Sequence, residues 1–142
     1  MRPARREDAA AIRALILAVR INPTGLVWRR FLLAVDDGDR LIGCGQVKPH
    51  RDGTRELASI AVQPRYRGRG VARAIIERLL AENQPPLYLI CRESLSPFYE
   101  KFGFSGCSDK ELTPYFSNIR RWADFVYTRG WMKERLIVMV RR

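Results

Sequence analysis

Residues 59–80, SIAVQPRYRGRGVARAIIERLL, run from a strand through two glycines into a helix. Ile60, Ala61 and Val62 close the strand. From Val71 the apolar period changes from two to about 3.6, and Val71, Ala72, Ile75, Ile76, Leu79 and Leu80 share one helical face. Arg73 and Glu77, and Arg78 and Glu82, stand four residues apart on the wet side, where such pairs support a helix. The first N–H groups of a helix lack intrahelical acceptors, and the helix dipole puts partial positive charge beside them. A strand that turns directly into a helix therefore presents an anion site. Gly68 and Gly70 let the main chain approach the anion without a Cβ in the way, and Arg65, Arg67, Arg69 and Arg73 surround the turn. The stretch is suited to holding phosphate on backbone N–H groups. It is not a Walker loop, because G-x-x-x-x-G-K-[ST] is absent. It is not the dinucleotide fingerprint either, because Arg73 stands where the third glycine belongs.

The rest of the chain alternates helices and strands around this unit. Ile12, Leu15, Ile16 and Val19 have helical spacing behind Glu7 and Asp8, which predicts an amphipathic first helix rather than a signal peptide. Asn22 before Pro23 marks a loop. RRFLLAV and RLIGCGQV read as a hairpin about DDGD, and the turn KPHRDGT leads into RELASIAV. After QPP come the short strand LYLIC, a short helix SPFYEKF with Ser96 as cap, and a strand FSGCS. A longer helix opened by Thr113–Pro114 and closed by Gly130 precedes the last strand, RLIVMVRR. This order predicts an α/β fold, a mixed sheet flanked by helices, with a right-handed parallel strand–helix–strand crossover after the glycine loop. With 142 residues and no linker or repeat, one domain over 1–142 is expected.

Formal net charge is +11, carried by 22 arginines and only four lysines. Arginine suits phosphate and carboxylate, so the excess points either to an anionic partner or to a compositional bias. The arginines are spread along the chain, and no nucleic-acid motif accompanies them, so nucleic acid is disfavoured as a partner. His50 is the only histidine, and Cys44, Cys91 and Cys107 share no short spacing, so no metal set is expected. His50 is read as a surface turn residue, and the three cysteines as core residues of a protein in a reducing cytoplasm. No apolar run approaches membrane-spanning length.

The spacing Arg65-x-x-Gly68-x-Gly70, followed by Val71-Ala72, resembles the acyl-coenzyme A loop of the GNAT superfamily of N-acetyltransferases. ELASIAVQP upstream is similar to that family's fourth strand, and FYEKFGF downstream to its tyrosine helix with the following Gly-Phe. The element order matches over nearly the whole chain. The resemblance implies a GNAT-like fold and acetyl-coenzyme A as cosubstrate. It implies that the pyrophosphate lies on the backbone from Arg65 to Ala72 and that the pantetheine arm pairs like an extra strand with Ile60, Ala61 and Val62. Arg67, Arg69 and Arg73 either reach the 3′-phosphate or are simply solvated.

Acetyl transfer needs a neutral amine, yet a lysine-like amine is neutral in only about one molecule in a few thousand at pH 7. The family often accepts the proton on a fourth-strand carboxylate, and Glu56 stands there. The other reading of Glu56 is a solvated strand-end carboxylate paired with an arginine. Tyr99 matches the tyrosine that protonates the leaving thiolate; otherwise it anchors the short helix. A phenol near pKa 10 is a poor donor to a thiolate near 8.5, and neighbouring positive charge would help. An asparagine that often contacts the cofactor before the tyrosine is replaced here by Arg92, with Ser94 and Ser96 nearby. Trp28, Tyr115, Phe116, Trp122 and Tyr127 fall in the segments that shape the family's acceptor pocket, although aromatics at helical spacing also suit a core. The implied function is transfer of acetyl to a primary amine of a small molecule or peptide, with a homodimer left open. The other class is a coenzyme A-binding module that does not turn over.

Overall fold

The computed structural model describes all residues, 1–142. Seven strands form one mixed sheet in the order β1-β2-β3-β4-β5-β7-β6. The chain divides into two compact units, one of Met1–Lys48 with Leu57–Gln84 and one of Pro49–Glu56 with Pro85–Arg142.

In the first unit, β1 (Arg2–Pro3) pairs antiparallel with β2 (Phe31–Val35), which pairs antiparallel with β3 (Leu41–Pro49). β1 is held by more than its two residues: Arg2 bonds Asp8 Oδ2 at 2.7 Å and Asp39 Oδ1 at 2.9 Å. Helix α1 (Ala9–Ala18) presents Ile12, Leu15 and Ile16, as its spacing predicts, to Phe31, Leu33, Cys44 and Ala61. Burying each of those three side chains contributes about 1.5–3 kcal/mol. β4 (Arg55–Val62) leads to helix α2 (Val71–Glu82). Ile75, Ile76 and Leu79 of α2 are buried, while Val71, Ala72 and Leu80 are half-buried at the edge of that face.

The end of α1 is strained. Arg20 N–H donates to Leu17 C=O at 3.2 Å and Ile21 N–H to Ile16 C=O at 3.3 Å. This doubly bonded helix end needs a left-handed residue, and the exposed Arg20 supplies it at φ +59°. Left-handed backbone costs an L-residue about 1–2 kcal/mol, partly offset by the greater freedom of an unfolded glycine. Arg20→Gly is therefore expected to raise stability by about 0.5–1 kcal/mol, read as a higher urea midpoint at unchanged slope. A lower midpoint would show that the arginine side chain contributes more than its backbone costs.

In the second unit, β5 (Leu87–Arg92) pairs antiparallel with β7 (Leu136–Arg141) from Leu87 opposite Arg141 to Arg92 opposite Leu136. The parallel pairing of β4 with β5 registers Glu56 opposite Tyr88. β6, expected over FSGCS, is only Ser105–Gly106 on β7. Cys107 just after it is half-buried rather than core, whereas Cys44 and Cys91 are buried. Helix α3 (Ser96–Glu100) begins on Ser96 itself, so that serine does not cap it from outside. Helix α4 (Pro114–Thr128) lays Phe116 on Tyr88, Val138 and Val140. Gly130, at φ +74°, closes it as expected, with Trp131 N–H on Val126 C=O at 3.1 Å.

Candidate active site

The first unit holds Ile60, Ala61 and Val62 on β4 and the whole segment from Arg65 to Arg73. Gln63 anchors the start of the loop: its N–H donates to Ile42 C=O at 2.8 Å. A short 3-10 turn, Pro64–Tyr66, follows. Gly68 and Gly70 take φ +76° and +79°, and a Cβ on either would have no neighbour within 4 Å. The first helical bond of α2 is Ala74 N–H to Gly70 C=O at 3.0 Å. The N–H groups of Val71, Ala72 and Arg73 thus point out of the helix with no carbonyl to accept them. Tyr66 carries Arg65 and Arg69, whose guanidinium carbons lie 5.1 and 5.5 Å from its ring centroid. Arg73 is engaged with Glu77 at 3.0 Å, and Arg67 is exposed. The turn into α2 thus joins three helical N–H groups without carbonyl acceptors, two glycines of positive φ and the Arg65–Tyr66–Arg69 cluster.

Glycines on β3 fix where that cradle sits. A Cβ at Gly43 would come within 2.9 Å of Val71 Cγ1, and one at Gly45 within 2.6 Å of Ile60 Cδ1 and 2.8 Å of Ile75 Cγ2. Their absence lets α2 settle on the strand. On the other face, Gln46 is fully buried and donates through Nε2 to Gly25 C=O at 3.2 Å and to Ser59 Oγ at 2.9 Å. Buried Lys48 donates to Thr24 C=O at 3.1 Å. These two side chains hold the loop after α1. Ser59 sits within β4 at φ +58°, a conformation rare for serine. The sequence reading missed Gln46 and Lys48. Their only signal was two polar residues on the core-facing parity of β3, and parity alone does not name a partner.

The second unit brings Glu56 and His50 together. Glu56 is 7% exposed, and its Oε1 lies 2.8 Å from His50 Nε2. This excludes the solvated strand-end carboxylate paired with arginine. It also corrects the reading of His50 as a surface turn residue, since its side chain is only 12% exposed. The backbone of residues 50–54 is a turn, with His50 N–H on Thr54 C=O at 2.8 Å. The imidazole points inward because α4 covers it. Its ring stacks on Tyr115 at 3.7 Å and meets the edge of Phe116 at 5.7 Å. Asp52 secures that docking by accepting the Tyr115 N–H at the start of α4, at 3.2 Å. Burial pushes the Asp52 carboxyl up, but bonds from the Thr54 hydroxyl and N–H and from the Tyr115 N–H outweigh it and hold the group below the usual carboxylate range. Burial raises the Tyr115 phenol, and the nearby Glu56 and Asp52 charges raise it further.

Tyr99 lies on α3 between Phe98, at 5.1 Å, and Phe104, at 6.2 Å. Its carbonyl accepts the N–H groups of Phe102 and Phe104, a closure allowed by Gly103 at φ +87°. Burial pushes its phenol up to about 12, and Cys91 adds to this. The positive charge that would have lowered it is not what sets its acidity. Ser94 is exposed and gives its N–H to Glu134 Oε1 at 2.7 Å. Among the aromatic candidates, Phe116 is core and Trp28 packs against the α1 cluster. Trp122 and Tyr127 are exposed, and Tyr115 lies on His50.

Residues 28–106 match the family model described as the acetyltransferase (GNAT) domain. Over 53 residues the chain is 36% identical to mycothiol acetyltransferase of Rhodococcus jostii, a match that spans 37% of this chain and 17% of that protein. The fold is similar to that of Rv2747 from Mycobacterium tuberculosis, solved in complex with CoA, at TM-score 0.71 and 20% identity over 98% of this chain and 97% of that one. It is equally similar to N-acetylglutamate synthase from Neisseria gonorrhoeae, solved with coenzyme A and N-acetyl-glutamate: TM-score 0.71, 19% identity, covering 99% of this chain and 34% of that one. An N-acetyltransferase from Staphylococcus aureus Mu50 gives TM-score 0.68 at 16% identity over 98% of both chains.

Proposed function

The chain belongs to the GNAT family of acetyltransferases, and from that premise we propose that it binds acetyl-CoA on the Arg65–Ala72 segment and transfers the acetyl group to a primary amine by direct attack in a ternary complex. The acceptor class is an amine of a small molecule, peptide or protein. The observation that carries the reading is the turn into α2, where Gly68 and Gly70 leave open space and three helical N–H groups lack acceptors. Such a surface fits a pyrophosphate, which needs several converging donors and close main-chain approach. Arg65 and Arg69 add charge beside it. Ile60, Ala61 and Val62 offer strand backbone for the pantetheine amides. When bound, acetyl-CoA supplies an activated thioester.

The chain's own residues manage the protons. Glu56 takes a proton from the incoming ammonium, since only the free amine has the lone pair that attacks. Tyr99, held neutral by burial, donates its O–H towards the departing sulfur.

The test is a panel of primary amines screened for thiol release from acetyl-CoA, with Glu56→Gln run beside the wild type. Turnover of the variant is expected to fall by about 10²-fold, the low end for a positioned base, and to fall most at low pH, where more of the acceptor is protonated. Identical pH–rate profiles would remove Glu56 from the reaction.

A further inference from the structure

The contact between Glu56 and His50 carries a role for the histidine. We propose that His50 is the positioning residue for the Glu56 carboxylate, its Nε2–H fixing Oε1 so that Oε2 remains as the acceptor for the amine proton. This rests on Glu56 being the base in the reaction proposed above.

An ionised carboxylate can only accept hydrogen bonds. At 2.8 Å from Glu56 Oε1, His50 Nε2 must therefore carry the proton. The imidazole is held on several sides. Tyr115 covers one face at an interplanar angle of 18°, and Phe116 stands edge-on at 89°. The turn backbone is closed by His50 N–H on Thr54 C=O and by Gly53 N–H on His50 C=O, at 2.8 and 3.1 Å. Asp52 ties the same turn to the Tyr115 N–H. A donor that cannot rotate away orients the carboxylate it bonds. Oε1 is thereby occupied, and the proton from the ammonium nitrogen goes to Oε2. That transfer leaves a neutral amine and a carboxylic acid, which then returns the proton to solvent. Removing the donor frees the carboxylate to rotate and to find other partners, and precise placement of a reacting group is worth much of its rate.

A purely structural His50 would only satisfy a buried charge. The two roles separate by variants. His50→Phe keeps a ring against Tyr115 and deletes the donor. His50→Gln carries an amide N–H with about the reach of Nε2. His50→Asn carries one that falls short. Positioning predicts a kcat at least tenfold lower for Phe and Asn, recovery to within about threefold of wild type for Gln, and an acetyl-CoA dissociation constant unchanged in all three. The rate is measured with the fastest acceptor from the amine panel. If the Phe variant does not fold, the Gln and Asn variants still make the comparison.

A second readout needs no turnover. His50 is the only histidine in the chain, so one imidazole appears in a nitrogen-15 spectrum of the free protein. The proton is expected on Nε2, with Nδ1 bare, in neutral His50. The opposite tautomer overturns the proposal, as do equal rates per folded molecule in the Gln, Asn and Phe variants. A slow Glu56→Gln enzyme with fast His50 variants refutes the positioning role alone. A fast Glu56→Gln enzyme refutes the base itself.

Discussion

Gly70→Glu is expected to abolish the rise in melting temperature that acetyl-CoA gives the wild-type protein. A ligand that binds only the folded state at 100 times its dissociation constant stabilises by about 2.7 kcal/mol. For a chain of this length that corresponds to a rise of roughly 8–12 °C. Gly70 is the residue at which the loop becomes α2, at φ +79°. A Cβ there meets nothing within 4 Å, so the glutamate does not clash with the protein itself. The free variant should therefore fold, at a cost of about 1–2 kcal/mol for a left-handed L-residue. What changes is the space in front of the α2 N–H groups, which receives a side chain and a negative charge. The measurement is the thermal shift at matched acetyl-CoA concentrations, with a calorimetric dissociation constant for each protein. A folded Gly70→Glu protein that binds as tightly as wild type would show that the turn does not hold the cofactor.

Tyr99→Phe should reduce kcat by something on the order of 10²-fold while barely changing the affinity for acetyl-CoA. The substitution keeps the ring between Phe98 and Phe104 and removes only the hydroxyl. Burial holds that phenol up to about 12, far above an ordinary thiol near 8.5. A complete proton transfer to a thiolate is thus uphill until the sulfur is itself desolvated, and the O–H acts first as a hydrogen-bond donor to the growing negative charge. It follows that Tyr99 stays protonated across the working range and adds no limb to the pH–rate profile below about pH 11. A kcat within twofold of wild type would leave Tyr99 as an anchor of α3 with no acid role.

Local periodicity and turn chemistry made most of the architecture legible. The shift of period at Val71, the Thr–Pro and Gly130 ends of α4, and the hairpin about DDGD all lie where the residues themselves demand them. The glycine turn was legible for the same reason, because Gly68 and Gly70 take positive φ that other residues avoid. The failures share a cause. His50 looks like a turn residue because its backbone is in a turn, and its side chain is recruited by Tyr115 and Phe116, some 65 positions later in the chain. Gln46 and Lys48 are buried polar residues that donate to carbonyls of Gly25 and Thr24, which no short window connects to them. Ser59 adopts a left-handed backbone with no glycine to announce it. β6 is only Ser105–Gly106, although Cys107 N–H beyond it still donates to Val138 C=O at 3.2 Å.

The bare surface of β3 has a consequence for how this protein can change over generations. Gly43 and Gly45 bear no charge, yet α2 rests on them closely enough that a Cβ at Gly45 would sit 2.8 Å from Ile75 Cγ2 of the helix and 2.6 Å from Ile60 Cδ1. In the proposed reading the grip on phosphate is made of main-chain N–H groups, whose chemistry every residue shares. Side chains along the loop can therefore drift with modest loss, because Arg65 and Arg69 only supplement those donors. The intolerant sites lie instead beneath the helix, in a strand with no chemical role, where any side chain lifts α2 and carries its donors with it. A lineage scan that weighs residues by reactivity would rank these two glycines last, although they govern the distance over which the binding loop acts.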